Sequence, residues 1–161
     1  MSSKNIVRSN SGYILAYLLW FICIALGLLV VWQARDAGLS LLIIGSINPT
    51  QVNASEQFYA TLQMRAADIW SLFVIGFILI VFIVFLEYYF RISVPEGHLW
   101  SRFTLVMGLE FGFLFLASLT KTSVAWLVTP FSWQSLSLPL IEILLTGFFG
   151  GLWLFFKRRS L

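Results

Sequence analysis

Residues 67–90 read ADIWSLFVIGFILIVFIVFLEYYF, and from Ile69 to Leu86 this stretch holds no charged side chain. A helix of about 20 predominantly apolar residues, rising about 1.5 Å per residue, crosses a hydrocarbon layer of about 30 Å. Three further stretches meet that length, at 12–33, 99–119 and 137–156. Lipid offers the backbone no hydrogen bonds, so only helices and closed barrels span it, and these runs lack the period-two alternation of barrel strands. The sequence predicts an all-α, polytopic integral membrane protein. Residues 1–161 are expected to form one domain: four transmembrane helices in an antiparallel bundle, with short interfacial segments on the outer side.

The composition points the same way. Of 161 residues, 60% are hydrophobic and only 11% charged, against about 25% charged in an ordinary soluble domain. A soluble fold cannot hide so much apolar surface. The first stretch follows Lys4 and Arg8 as a secretion signal would. Its apolar run from Tyr13 to Trp32, however, exceeds the about 7 to 15 residues of a signal peptide's core, and it is read as an uncleaved anchor.

Lysine and arginine resist translocation, so their distribution sets orientation. With the N-terminus inside, the inner segments hold Lys4, Arg8, Arg91, Arg102, Lys157, Arg158 and Arg159, and the outer ones Arg35, Arg65 and Lys121. That imbalance places both termini in the cytoplasm, and the expected location is an inner (plasma) membrane of bacterial type. The net charge of +3 is then a topology signal and calls for no nucleic-acid partner. Amphipathic indoles gather at membrane surfaces. Trp32, Trp70, Trp126 and Trp133 fall at outer span ends, Trp100 and Trp153 at or near inner ones, and Trp20 alone lies deeper.

Two outer connections carry what shape the exterior has. In the first, the apolar patch Leu39 to Ile44 is too short to span and is expected in the interface or against the bundle. Asn48-Pro49-Thr50 favours a turn, and Asn53, with Glu56 three residues on, can cap a helix leading into span two. Asn53-Ala54-Ser55 also has the form of a glycosylation acceptor. In the second connection, Thr120 to Leu138, Pro130 is expected to limit the chain to a short interfacial helix or folded loop. The inner connection from Arg91 to Glu96 is short, which predicts spans two and three as adjacent antiparallel partners.

Several chemistries are excluded by residue counts. Cys23 and His98 are each the single residue of their type, so an intrachain disulfide, a bis-histidine haem and a zinc site have no ligand set. His98 reads as an interfacial residue. The chain contains no phosphate-cradling glycine loop, no nucleophile elbow and no paired carboxylates with a base. No catalytic residue, metal or cofactor is expected. The number of spans is similar to that of small four-span multidrug exporters and of tetraspanins. The first-span acid of the former and the outer-loop cysteines of the latter are missing, so no residue is carried over.

What remains is a set of acids and glycines in the spans. Glu87 stands four residues before Arg91, in reach of an ion pair. Glu142 lies about one turn into span four, where it can reach water or Lys121. Glu110 falls about 18 Å along its helix from His98, near mid-membrane. There an ionised carboxylate costs several kcal/mol, so the group is expected to be neutral, or to face a cavity or a partner. It reads either as a proton- or cation-handling acid or as a protonated acid bonded to Thr146, a tyrosine or a carbonyl. Gly108 with Gly112, and Gly147 with Gly151, form GxxxG pairs that let backbones approach; Glu110 lies nearly opposite the first pair. Sixteen phenylalanines invite a pigment or quinone reading, which rings facing lipid also explain.

The functional expectation is a non-catalytic accessory or scaffold subunit of a larger membrane assembly, an energy-converting one being a candidate, associating with lipids and with other integral membrane subunits or itself. The alternative is a small homo-oligomeric transporter or channel using Glu110. A lipid- or quinone-binding protein is the third reading.

Overall fold

The computed structural model describes residues 3–46, 54–127, 129–130 and 132–159. Four helices account for nearly all of them: α1 (Ser3–Ser46), α2 (Ala54–Glu96), α3 (Leu99–Trp126) and α4 (Ser137–Arg159), with a 3₁₀ turn at Trp133–Leu136 leading into α4. Each contains a segment long and apolar enough to cross a membrane. The chain is an all-helical integral membrane protein of four packed spans.

The helices outrun the expected spans where the apolar pattern had stopped. α1 does not end near Trp32 but continues through Leu39, Leu41 and Leu42 to Ser46, so the expected interfacial patch is helix. Nothing from Gln33 to Ser46 breaks a helix: the segment has no proline, and Ser40 satisfies its hydroxyl on the Asp36 carbonyl at 2.7 Å. α2 begins at Ala54, where a helix leading into span two is expected. The turn at Asn48-Pro49-Thr50 and the cap at Asn53 fall outside the described residues, as do the side chains of Ser55 and Glu56. α3 extends to Trp126 instead of yielding a separate interfacial helix after Thr120, because Pro130 lies far enough downstream to leave the intervening hydrogen bonds intact.

The α2–α3 turn is specified by one glycine. Gly97 has φ +72°, which costs a residue without a side chain nothing. Its N–H donates to the Val94 carbonyl at 3.3 Å, and that of His98 to the Ser93 carbonyl at 3.2 Å. This paired closure uses carbonyls that a helix end otherwise leaves orphaned.

Packing order differs from chain order. α3 lies between α4 and α1, and α1 lies between α3 and α2; direct α2–α3 packing is slight. Spans two and three are thus joined by a short turn without becoming main partners. The arrangement is an open row, α2–α1–α3–α4, in which α1 and α3 run parallel. α3 is the most enclosed span and α2 the least. The core is formed by Ala16, Leu19, Cys23, Leu86, Phe90, Leu99, Val106 and Met107.

Candidate functional site

Glu110 occupies a three-helix junction within the apolar stretch of α3. It is 4% exposed. At the same level α1 offers Gly27, and a β-carbon built there would lie 3.4 Å from Glu110 Oε1 and 3.0 Å from the ring of Phe82 on α2. Cys23, one turn along the same face of α1, is fully buried. The acid therefore lies against the notch of a glycine and beside an aromatic ring. Among the described residues neither carboxyl oxygen has a hydrogen-bond partner. Along the α1–α3 seam its neighbours are Val106 and Met107 on one side, Leu114 and Ala117 on the other, all buried and apolar.

Thr146, expected as a partner for this acid, is engaged elsewhere. Its hydroxyl donates to the Glu142 carbonyl on its own helix at 2.8 Å, and its methyl group lies 3.7 Å from the β-carbon position of Gly112. The reason is angular: at about 100° per residue, Gly108 and Gly112 face α4 while Glu110 faces α1. A β-carbon built on Gly108 would lie 3.6 Å from the Gly150 nitrogen and 3.8 Å from the Phe149 carbonyl carbon. Gly147 and Gly151 meet nothing within 4 Å. The contact stripe of α4 runs through Glu142, Thr146 and Phe149, and Gly147 and Gly151 turn to the side away from α3. Phe149 stacks on Phe111 at 5.5 Å.

Glu142 is buried as well, but it is partly served. The Ser118 hydroxyl donates to its Oε1 at 3.0 Å, and its Oε2 is unpartnered among the described residues. It does not reach Lys121, which donates to Gln33 Oε1 at 2.9 Å and pairs with Asp36 at 3.5 Å. Lys121 lies on the face of α3 that meets α1, whereas Glu142 approaches from α4.

Lys121 belongs to a charge layer that closes one end of the row. Arg35 of α1 binds Asp68 of α2, lies 3.7 Å from Asp36 and covers the ring of Trp32 at 5.4 Å. Three helices are tied at one level. At the other end Arg102 binds Glu96, donates to the Tyr89 carbonyl at 2.9 Å and covers the Tyr89 ring at 4.7 Å. From Arg102 to Lys121 α3 rises about 28 Å, close to the thickness of a hydrocarbon layer. Glu87 and Arg91 form no ion pair with each other among the described residues; they line a notch at this turn end with Tyr13, Tyr17 and Trp20. Sequence reading missed the role of Asp36 and Asp68. The available signal was opposite charges at matching depth on three antiparallel spans.

Trp32, Trp70, Trp100 and Trp133 are exposed, Trp126 donates to Ser135 Oγ at 3.1 Å, and Trp153 lies 4.9 Å beneath Lys157. Trp20, the deep one, donates to the Ile83 carbonyl at 3.2 Å. His98 is half-buried at the start of α3. No three His, Cys, Asp or Glu side chains converge as a metal site among the described residues. Comparison with protein-family models, curated proteins and solved structures yields no match to this chain.

Proposed function

We propose that this protein is a non-catalytic accessory or scaffold subunit of a larger membrane assembly. One observation carries the reading: α1 and α2 continue as a paired helical hairpin past the layer formed by Arg35, Asp36, Asp68 and Lys121. Beyond that layer α1 rises a further about 15 Å to Ser46, and α2 about 21 Å back to Ala54. Leu39, Leu42, Thr61, Met64 and Arg65 line a cleft between the two. Leu41 and Leu62 are 54% and 45% exposed. We place this apolar surface beyond the hydrocarbon, where it suits contact with another protein better than contact with water. The weakly enclosed α2 and α4 at the two ends of the row leave spans available to neighbouring subunits.

The basic residues Arg91, Arg102, Lys157 and Arg158 lie at the α2–α3 turn end, which we assign to the cytoplasm of an inner membrane; the hairpin then projects from the opposite face. Purification in mild detergent through a tag after Leu161 is expected to recover stoichiometric membrane partners. The double variant Leu41→Glu with Leu62→Glu is expected to insert normally and to lose them. Recovery of the native protein as a lone, fully functional monomer overturns this reading.

A further inference from the structure

Glu110 remains the polar group least accounted for by packing. Its two carboxyl oxygens are buried and unpartnered among the described residues, although a buried polar group is nearly always hydrogen-bonded. A carboxyl in that position has little to offer the fold, and it closes against a glycine: the β-carbon position of Gly27 is 3.4 Å from Oε1 and 3.0 Å from the Phe82 ring.

The surroundings restrict what the group can serve. A hard cation requires about six or more oxygen ligands, and here one carboxyl faces Gly27, Cys23 and a phenyl ring. A proton path needs further polar groups, yet Val106, Met107, Leu114 and Ala117 flank the acid along the seam. Among the described residues a charged ligand would meet no opposite charge at this level of α3 except the acid itself, in a layer that penalises ions.

The row of helices supplies a route from the bilayer. α2 and α3 touch where Arg102 donates to the Tyr89 carbonyl, and they pack on each other far less than α1 packs on either. On α3, Leu109 and Phe113, which flank Glu110 on the side away from α4, are 56% and 59% exposed. Phe82 of α2 reaches the same Gly27 notch as the acid and covers it from the α2 side.

We infer that Glu110 is the polar anchor of a binding site for a neutral, lipid-soluble molecule bearing a hydrogen-bonding carbonyl or hydroxyl group, which enters from the bilayer between α2 and α3 past Phe82. The carboxylic acid donates to a ligand carbonyl or accepts from a ligand hydroxyl, and the apolar body of the ligand lies along Leu109 and Phe113. This site is independent of the hairpin and of any partner bound there.

The test uses dicyclohexylcarbodiimide on the full chain in phospholipid vesicles. The acid transfers its proton to a carbodiimide nitrogen while a carboxyl oxygen bonds to the central carbon; acyl migration to nitrogen then leaves a stable adduct containing the whole reagent. Peptide mass spectrometry is expected to find the adduct on Glu110 and to find none in Glu110→Gln. Phe82→Ala is expected to speed labelling at least threefold, Phe82→Leu less so, and an excess of a long-chain methyl ketone to slow it at least threefold. A water-soluble carbodiimide is expected to leave Glu110 unmodified. Failure of Glu110 to label in the folded protein, indifference to both the Phe82 variants and the ketone, or equal labelling by the water-soluble reagent would each overturn the inference. Retention of membrane partners by Glu110→Gln separates this result from the subunit reading.

Discussion

At the scale of single residues, Glu110 and Gly27 are a case of structure spent on something other than stability. An unpartnered buried polar group costs about 1–3 kcal/mol. Glu110→Leu, similar in volume and without that cost, is therefore expected to raise the thermal unfolding midpoint in detergent; a fall would show that the carboxyl stabilises the junction. The glycines divide just as sharply. Gly108→Leu must push into the α4 backbone 3.6 Å from its β-carbon position and is expected to destabilise by about 1–3 kcal/mol, as overpacking does. Gly147→Leu faces open space within the chain, and its effect on unfolding of the monomer is expected to stay within about 0.5 kcal/mol.

At the scale of elements, the hairpin and the charge layer beneath it belong together. The Arg35–Asp68 pair with the Lys121–Asp36 pair holds α1, α2 and α3 in register at the base of the hairpin. These side chains are partly exposed, so each pair contributes modestly and is screened by salt. A double-mutant cycle with Arg35→Gln and Asp68→Asn is expected to give a coupling of about 1 kcal/mol or less. Hydrogen exchange should nonetheless rise in 36–42 and 61–68 when either is replaced, with the spans unchanged. Unaltered exchange in those segments would remove the clasp from the account.

For the whole molecule, four spans and two charge layers make a topological statement. With Cys23→Ala as background, a membrane-impermeant maleimide is expected to reach Leu41→Cys from the face opposite to the one that exposes Arg158→Cys. Reaction of both from one face would contradict the layer assignment, since those positions lie beyond opposite layers. The open row also explains how so apolar a chain keeps little core. In lipid, apolar faces need no burial, and association rests on close backbone approach and polar contacts, which is what the Gly108 contact and the Ser118–Glu142 hydrogen bond supply.

The sequence alone determined the class and the number of long apolar helices, because length and hydropathy are local properties. It also determined that Glu110 and the Gly108–Gly112 pair face different neighbours, since helical geometry fixes their angular separation. Tertiary structure alone decided which neighbours those are: the placement of α3 between α1 and α4, the binding of Lys121 to Gln33 and Asp36 instead of Glu142, the open face of Gly147 and Gly151, and the approach of Gly27 and Phe82 to the acid. In a medium where every span is apolar all round, no hydrophobic stripe marks the side that packs. The choice of partner rests on small differences in side-chain shape that become visible only when the helices are brought together.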